Sequence, residues 1–235
     1  MTLGFSTLIA ACGTSTPVSN GIATMTPSSA ETAVTNAIKA ASSVRMVITV
    51  VQNGVKSTQT LDAAKTGGIR TLQVPGGTAT ILVSTKGAYL KAPSTVLSNN
   101  FGLSKTVAAK DSGQWLSFPS GTSGYYSLAN GIGMAALAQE VALTSVKRKT
   151  HPQINGQAVT TLEGSSPSGV LDLYIPDSGQ LLPLAGSINV KGSVVTFAFS
   201  RWGETVNLAP PANSHPFALS STPPAASNNT SSAAG

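Results

Sequence analysis

Short runs in which apolar and polar residues alternate dominate this chain, and they predict a mostly β fold. Between Val44 and Ala92 the runs are separated by turn dipeptides such as Asn53-Gly54 and Lys86-Gly87, which is the pattern of successive hairpins. Similar runs return between residues 143 and 210. Because no helices alternate with these runs, we expect about eleven antiparallel strands and no parallel α/β sheet.

Two stretches show the spacing of amphipathic helices instead. Ser28 and Glu31 have the spacing of a capping box, and the apolar residues that follow them recur at helical spacing, so we predict a lead helix over residues 29–42. A second helix is predicted over residues 128–143. It belongs to a helical insert over residues 93–143, which lies between the fifth and sixth strands and is placed to cover one face of the sheet.

Three of the strands are apolar, or carry threonine, on both faces. They are the runs MVITVV, ILVS and VVTFAF. A sheet with one face in solvent alternates apolar and polar residues, so we expect both faces of these strands to be covered. Either they belong to a plain two-layer β core, or they line a half-barrel whose hollow holds acyl chains beneath the insert. Small residues along the second helix, such as Gly131 and Gly133, leave the space that the second interpretation requires.

Under the second interpretation, candidate acyl-chain contacts lie on the strands, on the second helix and in the loop before it. They are Ile48, Val50, Ile81, Val83, Tyr125, Tyr126, Met134, Leu137, Phe197 and Phe199. The two tyrosines lie in a Gly/Ser-rich loop, where either one ring packs on the core or both form an aromatic rim at a cavity mouth. Trp202 follows the alternating Phe197 and Phe199, and we expect it to pack one end of the barrel.

The beginning of the chain carries the strongest signal about its location. An apolar run ends at Cys12, the only cysteine in 235 residues. The run is too short to span a bilayer, which takes about 20 residues, and it fits the apolar part of a secretory signal. The residues Ile9-Ala10-Ala11 before Cys12 resemble the bacterial lipobox, whose cysteine is acylated, as with palmitate, and becomes the first residue of the mature protein.

The lipobox divides the N-terminal part of the chain into two segments. We expect residues 1–11 to be a signal peptide whose basic start is missing, since no Lys or Arg precedes the apolar run. Residues 12–28 are rich in Ser, Thr, Pro and Gly, and we expect them to be a flexible tether. Residues 216–235 are of low complexity, and we expect a disordered tail. A single domain is predicted between these segments, over residues 29–215.

Composition argues against several other functions. The chain has 14 Lys and Arg against 8 Asp and Glu, a net charge of +6, but its basic residues are scattered and only 5% of residues are aromatic. A nucleic-acid surface would interleave basic and stacking residues, so we expect no nucleic-acid partner. One cysteine and two histidines do not make a zinc site. The acids are dispersed and no G-x-S-x-G motif occurs, so we expect no enzyme, cofactor or metal.

The order of several motifs resembles a known family. After the lipobox, tether and lead helix come GAYLKA, QWLSFP, NGQAVTTLEG and FAFSRWGETVNLAPP, as in the LppX/LprG-type lipoproteins of actinobacteria. The resemblance covers about residues 28–212. It implies a LolA/LolB-like fold, which is an incomplete antiparallel β-barrel covered by helices. It also implies that lipid or lipoglycan acyl chains bind in an apolar cavity and are carried in the cell envelope.

These observations together predict a lipoprotein that Cys12 anchors to the outer face of the cytoplasmic membrane. Its predicted activity is to bind lipid or lipoglycan acyl chains and to carry them within the envelope. The alternative is an envelope sensor or scaffold that uses the same fold to bind a protein partner. A closed apolar cavity favours the first function, and an exposed apolar groove or strand edge favours the second.

Overall fold

The computed structural model describes residues 18–149, 152–190 and 193–217. Cys12, the predicted signal peptide and residues 218–235 of the predicted tail lie outside the described residues. The elements in chain order are a 3-10 helix Ile22–Thr24, α1 Pro27–Ala40, β1 Ser43–Gln52, β2 Val55–Ala64, β3 Gly67–Val74, β4 Gly77–Ser84, β5 Gly87–Lys91, α2 Ser94–Phe101, α3 Lys105–Lys110, β6 Trp115–Pro119, α4 Ser123–Ala129, α5 Met134–Glu140, β7 Thr144–Arg148, β8 Gln153–Ile154, β9 Gln157–Ser166, β10 Gly169–Pro176, β11 Ala185–Val190, β12 Ser193–Ser200 and β13 Ser214–Pro216.

These elements group into two compact units, each of which takes two stretches of the chain. The first unit is Met1–Lys65 with Gly133–Val206, and the second unit is Thr66–Ile132 with Asn207–Gly235. The elements of the predicted insert are therefore divided between the two units. The single domain predicted over residues 29–215 stays a prediction.

The first unit is an antiparallel sheet with α1 and α5. Its strand order is β2-β1-β12-β11-β10-β9-β7, and β8 pairs with β9. Along this order, the first and last described strands of the unit do not pair with each other, so the sheet is open. Ala30, Val34 and Ile38 recur at helical spacing on α1 and are buried, and α1 packs against α5 and β7.

The second unit has a smaller sheet in the order β13-β6-β5-β4-β3. The pairs from β3 to β6 are antiparallel, whereas β13 pairs with β6 in parallel. Helix α4 packs on β4, β5 and β6, and α2 packs on β4 and α3. The path from β13 to β3 is also open among the described strands of this unit.

The predicted fold class is confirmed. The described residues are mostly strand, the antiparallel sheets are open as in an incomplete barrel, a helix leads the chain and further helices are inserted between strands. About eleven strands were expected by pattern, and the described residues form thirteen. The last part of the alternating region, residues 204–210, forms no strand in the described structure, and the three-residue β13 follows that segment.

Both predicted helices have different boundaries in the structure. The N-cap of α1 is Thr26, whose hydroxyl accepts a hydrogen bond from the Ser29 backbone N–H at 3.2 Å, so the predicted capping box of Ser28 and Glu31 is wrong. The helix predicted over residues 128–143 is two helices, α4 and α5. Gly131 and Gly133 lie between them with φ values of 69° and 110°, which a continuing α-helix does not allow.

The predicted tether is wrong from Ser19 onward, because that part of the chain packs on the first unit. The Ile22 side chain is fully buried. The Asn20 side-chain amide donates a hydrogen bond to the Pro176 carbonyl at 2.8 Å. The Arg148 guanidinium donates hydrogen bonds to the carbonyls of Ile22 and Met25.

The expectation that the doubly apolar strands are covered on both faces holds for one strand and fails for another. In β4, the consecutive residues Leu82, Val83 and Ser84 are all buried, so both faces are covered. In β12 burial alternates instead, and Val194 is 43% exposed. The described residues therefore cover only one face of the VVTFAF strand.

The backbone at the start of β3 generates a stability prediction. Gly67 has φ of 147°, and a Cβ atom there would clash with the Val83 carbonyl oxygen across the β3–β4 pair. We expect Gly67→Ala to lower the free energy of unfolding by about 2–4 kcal/mol, from the disfavoured φ and the overpacking. Gly121, in the same unit, has φ of 86° with open space around it, so we expect Gly121→Ala to cost only about 1 kcal/mol. Urea denaturation measures both, and equal losses would contradict the prediction.

Candidate functional site

An apolar cavity of about 370 Å³ lies in the second unit. It lies against strands β5 and β6, and residues of α4, of the chain after α2 and of the chain after β13 complete it. Its lining residues are Leu90, Phe101, Leu103, Phe118, Pro119, Thr122, Ser123, Gly124, Ser127, Leu128 and Phe217.

The floor of the cavity follows from the register of the antiparallel pairs. Leu90 is opposite Leu116, and Ala88 is opposite Phe118. Directly paired residues project from the same face of a sheet, so these four apolar side chains share one face. Leu90 and Leu116 are buried, with 1% and 0% of their surface exposed. They form the base on which the cavity lies.

Helix α4 forms the roof of the cavity. Its N-cap, Thr122, accepts a hydrogen bond from the Tyr125 backbone N–H at 3.2 Å and donates one to the Pro119 carbonyl at 2.8 Å. These bonds attach the start of the helix to the end of β6. Gly124 lies so close to Phe118 that a Cβ atom there would be 2.5 Å from the phenyl ring. The absence of a side chain at this position allows the roof to approach the floor.

The segment after Pro211 supplies a further wall. Strand β13 adds to β6 in parallel, and this places the Phe217 ring 5.2 Å, centroid to centroid, from the Phe118 ring. His215 on the same strand lies 3.4 Å from the buried Asp111 carboxylate, measured from Nε2 to Oδ1. The parallel pairing and this polar contact hold Phe217 at the cavity.

The lining of the cavity suits an apolar ligand. None of the described residues that line it carries a charge, and its polar side chains are the hydroxyls of Thr122, Ser123 and Ser127. Its volume lies in the range of about 300–1,000 Å³ that is usual for small-molecule sites. Burying each methylene of a hydrocarbon chain there is worth about 0.8 kcal/mol. The cavity can therefore hold an acyl chain without charged contacts.

Four of the ten predicted contact residues lie in the second unit, near this cavity but outside its lining. Ile81 and Val83 are buried on β4, and Ile81 is opposite Leu90 on the cavity face of the sheet. Tyr125 and Tyr126 lie in the first turns of α4, so their predicted loop is wrong. Tyr126 is 64% exposed, and its ring lies 5.4 Å from that of Tyr125.

The other six predicted contacts lie in the first unit. Ile48 is directly opposite Phe197 on neighbouring strands, and Val50 follows Ile48 on the same face. The rings of Phe197 and Phe199 are 6.4 Å apart, and both residues are buried. The remaining two, on helix α5, are the buried Met134 and Leu137. A role in lipid contact stays a prediction for all ten residues.

Trp202 packs on this aromatic group, and its predicted place at one end of the barrel stays a prediction. Its ring lies 5.9 Å from that of Phe199, and its indole N–H donates a hydrogen bond to the Pro183 carbonyl at 3.2 Å. It also lines a second cavity, of about 440 Å³, together with Leu181, Leu182 and alanines of α1.

Sequence reasoning missed most of the lining of the first cavity. The alternation in QWLSFP places Leu116 and Phe118 on one face, and this signal could have identified Phe118. Phe101 and Leu103 lie at and after the end of a short helix, where no periodicity marks them. Phe217 lies in the segment that its composition assigned to a disordered tail.

Two features are absent from the part of the chain that the structure describes. In this part of the chain, no three His, Cys, Asp or Glu residues come together as metal ligands would. Among the same residues, no helix has the length and apolar character needed to cross a membrane.

Comparison with solved structures identifies the fold. LprF from Mycobacterium bovis matches with a TM-score of 0.50 and 16% identity, over 79% of this chain and 96% of that one. The lipoprotein LppX from Mycobacterium tuberculosis matches with a TM-score of 0.46 and 16% identity, over 77% and 97% of the two chains. A LolA superfamily protein from Nitrosomonas europaea matches with a TM-score of 0.29 and 10% identity, over 76% and 93%. No protein-family model and no curated protein sequence matches the chain.

Because the last two scores lie below 0.5, the comparison of folds depends on LprF. The chain has the fold of LprF, and the resemblance predicted from the order of the motifs is confirmed at the level of the fold.

The aromatic wall of the cavity generates a second stability prediction. We expect Phe217→Ala to lower the free energy of unfolding by about 1–3 kcal/mol, since it removes an aromatic pair and a half-buried ring. Tyr126→Ala, which removes a mostly exposed ring from the same unit, is expected to change it by less than about 0.5 kcal/mol. Urea denaturation compares the two variants. A Phe217→Ala protein as stable as the parent would show that Phe217 is not part of the folded cavity.

Proposed function

We propose that this protein is an envelope lipoprotein that binds the acyl chains of lipids or lipoglycans and carries them within the cell envelope. The observation that carries the proposal is the cavity of about 370 Å³, which has an apolar floor, an aromatic wall and no charged side chain among its described lining residues. Hydroxyl groups lie on the roof only, so the cavity favours hydrocarbon over a polar solute.

The distribution of the acidic residues supports binding rather than catalysis. Each of the eight carboxylates contacts a partner away from the cavity. The contacts are Glu31 with Thr35, Asp62 with Arg45, Asp111 with His215, Glu140 with Ser168, Glu163 and Asp172 with Lys149, Asp177 with Thr160, and Glu204 with Arg201. A general acid or base must reach the reacting group of its substrate. No carboxylate lines the cavity, so we propose that the protein is not an enzyme.

The lipobox supports a location at the membrane. We propose that Cys12 is acylated and anchors the protein to the outer face of the cytoplasmic membrane. Residues 13–18 then connect the anchor to the folded part, which begins at the bridge between Ser19 and Ser178. This short connection would hold the first unit close to the bilayer.

Filling the cavity tests the proposed function. Ser127 is exposed and lines the cavity, so Ser127→Trp adds an indole at the cavity at little cost in stability. We expect this variant to bind palmitate with a fluorescent label at least about tenfold more weakly, because two or more methylenes lose their burial. Fluorescence titration of the parent and the variant measures the change.

The matched control is Ala109→Trp, which introduces the same ring at an exposed position of α3 that does not line the cavity. It should bind the probe as the parent does. Equal binding by Ser127→Trp and the parent would contradict this cavity as the acyl site. A parent that never binds lipid but captures an envelope protein would favour the sensor or scaffold function instead.

The anchor has its own test. In a bacterium that processes lipoproteins, we expect the precursor with Cys12→Ala to lose incorporation of labelled palmitate and to leave the membrane fraction. Ser6→Ala, in the same apolar run, should keep both properties. A Cys12→Ala protein that remains palmitoylated and membrane-bound would show that the lipobox assignment is wrong.

A further inference from the structure

Arg70 places a cationic side chain on the cavity face of the second unit. On the antiparallel pairs, Arg70 is opposite Ile81, and Ile81 is opposite Leu90, which lines the cavity. Directly opposed residues project from the same face of a sheet. Arg70 therefore continues the row of side chains that forms the cavity floor, two strands away from Leu90.

The guanidinium of the half-buried Arg70 has few hydrogen-bond partners among the described residues. Its Nη2 donates a hydrogen bond to the Gly131 carbonyl at 2.8 Å. Its Nε is buried and has no hydrogen-bond partner among the described residues. A guanidinium carries five N–H donors, so most of its donor capacity remains available to another group.

No acidic side chain of the chain neutralises Arg70. All eight carboxylates contact other residues, as described above, and none of them is paired with Arg70 among the described residues. Burial lowers the pKa of the Arg70 guanidinium, because desolvation disfavours its charged form. A partly buried charge without a counter-charge is costly for a folded protein.

Arg70 contacts the chain next to α4, the helix that forms the roof of the cavity. The cavity roof is formed by the N-cap and the body of α4, from Thr122 to Leu128. Gly131, which accepts the hydrogen bond from Arg70, follows the C-terminal end of the same helix. A helix of seven residues is about 10 Å long. Arg70 does not itself line the cavity, and on the sheet Ile81 lies between Arg70 and the lining residue Leu90.

We propose that Arg70 binds the anionic headgroup, a phosphate or a carboxylate, of the lipid whose acyl chain occupies the cavity. The inference rests on the proposed function and names its ligand class, an anionic lipid. A guanidinium forms paired, charge-assisted hydrogen bonds with either group. Arg70 is half-buried, so part of its guanidinium is accessible to a headgroup.

The test compares phosphatidic acid with diacylglycerol of identical chains, both presented to the full-length protein in detergent-free titrations. The parent is expected to bind phosphatidic acid more tightly. Arg70→Gln is expected to weaken binding of phosphatidic acid by about tenfold to a hundredfold, the usual effect of a lost charged hydrogen bond, and to leave diacylglycerol unchanged. Arg70→Lys keeps the charge but not the planar fork, and it should retain part of the preference.

One control variant and two outcomes distinguish the possible roles of Arg70. Lys86→Gln removes an exposed positive charge from the same unit and should bind both lipids as the parent does. If Arg70→Gln weakens both lipids equally, Arg70 only holds α4 in place through Gly131, and the proposal is overturned. The affinities of the parent protein also test the proposal. If the parent binds phosphatidic acid and diacylglycerol equally, the proposal is overturned, even where Arg70→Gln does not fold.

The remaining controls distinguish a failure of the Arg70 proposal from a failure of the proposed acyl-chain binding on which it rests. Ser127→Trp should weaken both lipids, because it blocks the acyl chain. If that variant binds both lipids as the parent does, the cavity assignment fails, whatever Arg70→Gln does. Inorganic phosphate at the concentration of the lipid should not displace phosphatidic acid, since it has no chain to bury. Displacement would assign Arg70 to a free-anion site and overturn headgroup binding.

Discussion

The apolar face shared by β4, β5 and β6 is the constraint on which the candidate site depends. Strand pairing places Ile81, Leu90 and Phe118 on that face, and a face of this kind must be covered to be stable in water. Helix α4 covers it, and Gly124 brings the helix against the Phe118 ring. The cover does not fill the space beneath it, because serine and glycine, rather than leucine, occupy several roof positions. A cavity remains between a tightly held helix and an apolar floor.

The pairing of opposite charges is the second constraint, and it bears on which ligand the proposed site takes. The chain has few carboxylates, and each contributes to a structural contact. Lys149, for example, lies between Glu163 and Asp172 at 2.6 Å and 3.1 Å. These contacts lower the pKa of Glu163 and raise that of Lys149, chiefly through the hydrogen bond that joins them. Arg70 has no carboxylate partner among the described residues, and this is one reason why we propose that it recognises an anion.

Much of the fold was predictable because it depends on local patterns. Asn53-Gly54 and the flanking alternation identify the β1–β2 hairpin, and the helical spacing of Ala30, Val34 and Ile38 identifies α1. Errors arose where local signals compete. Thr26 caps α1 in place of Ser28, since Pro27 suits the first helical position. The apolar run VVTFAF did not indicate that one face of β12 is exposed in the described structure, because burial depends on which elements pack on a strand.

For the candidate site, local sequence patterns were enough to predict which residues share a strand face, since those residues lie close together in the chain. Which apolar residues surround the cavity depends on contacts between distant segments. Phe118 and Phe217 meet through parallel strands, and Arg70 reaches Gly131 from a distant strand. Contacts of this kind join segments about 60 to 100 residues apart, and a local pattern of polarity does not predict them.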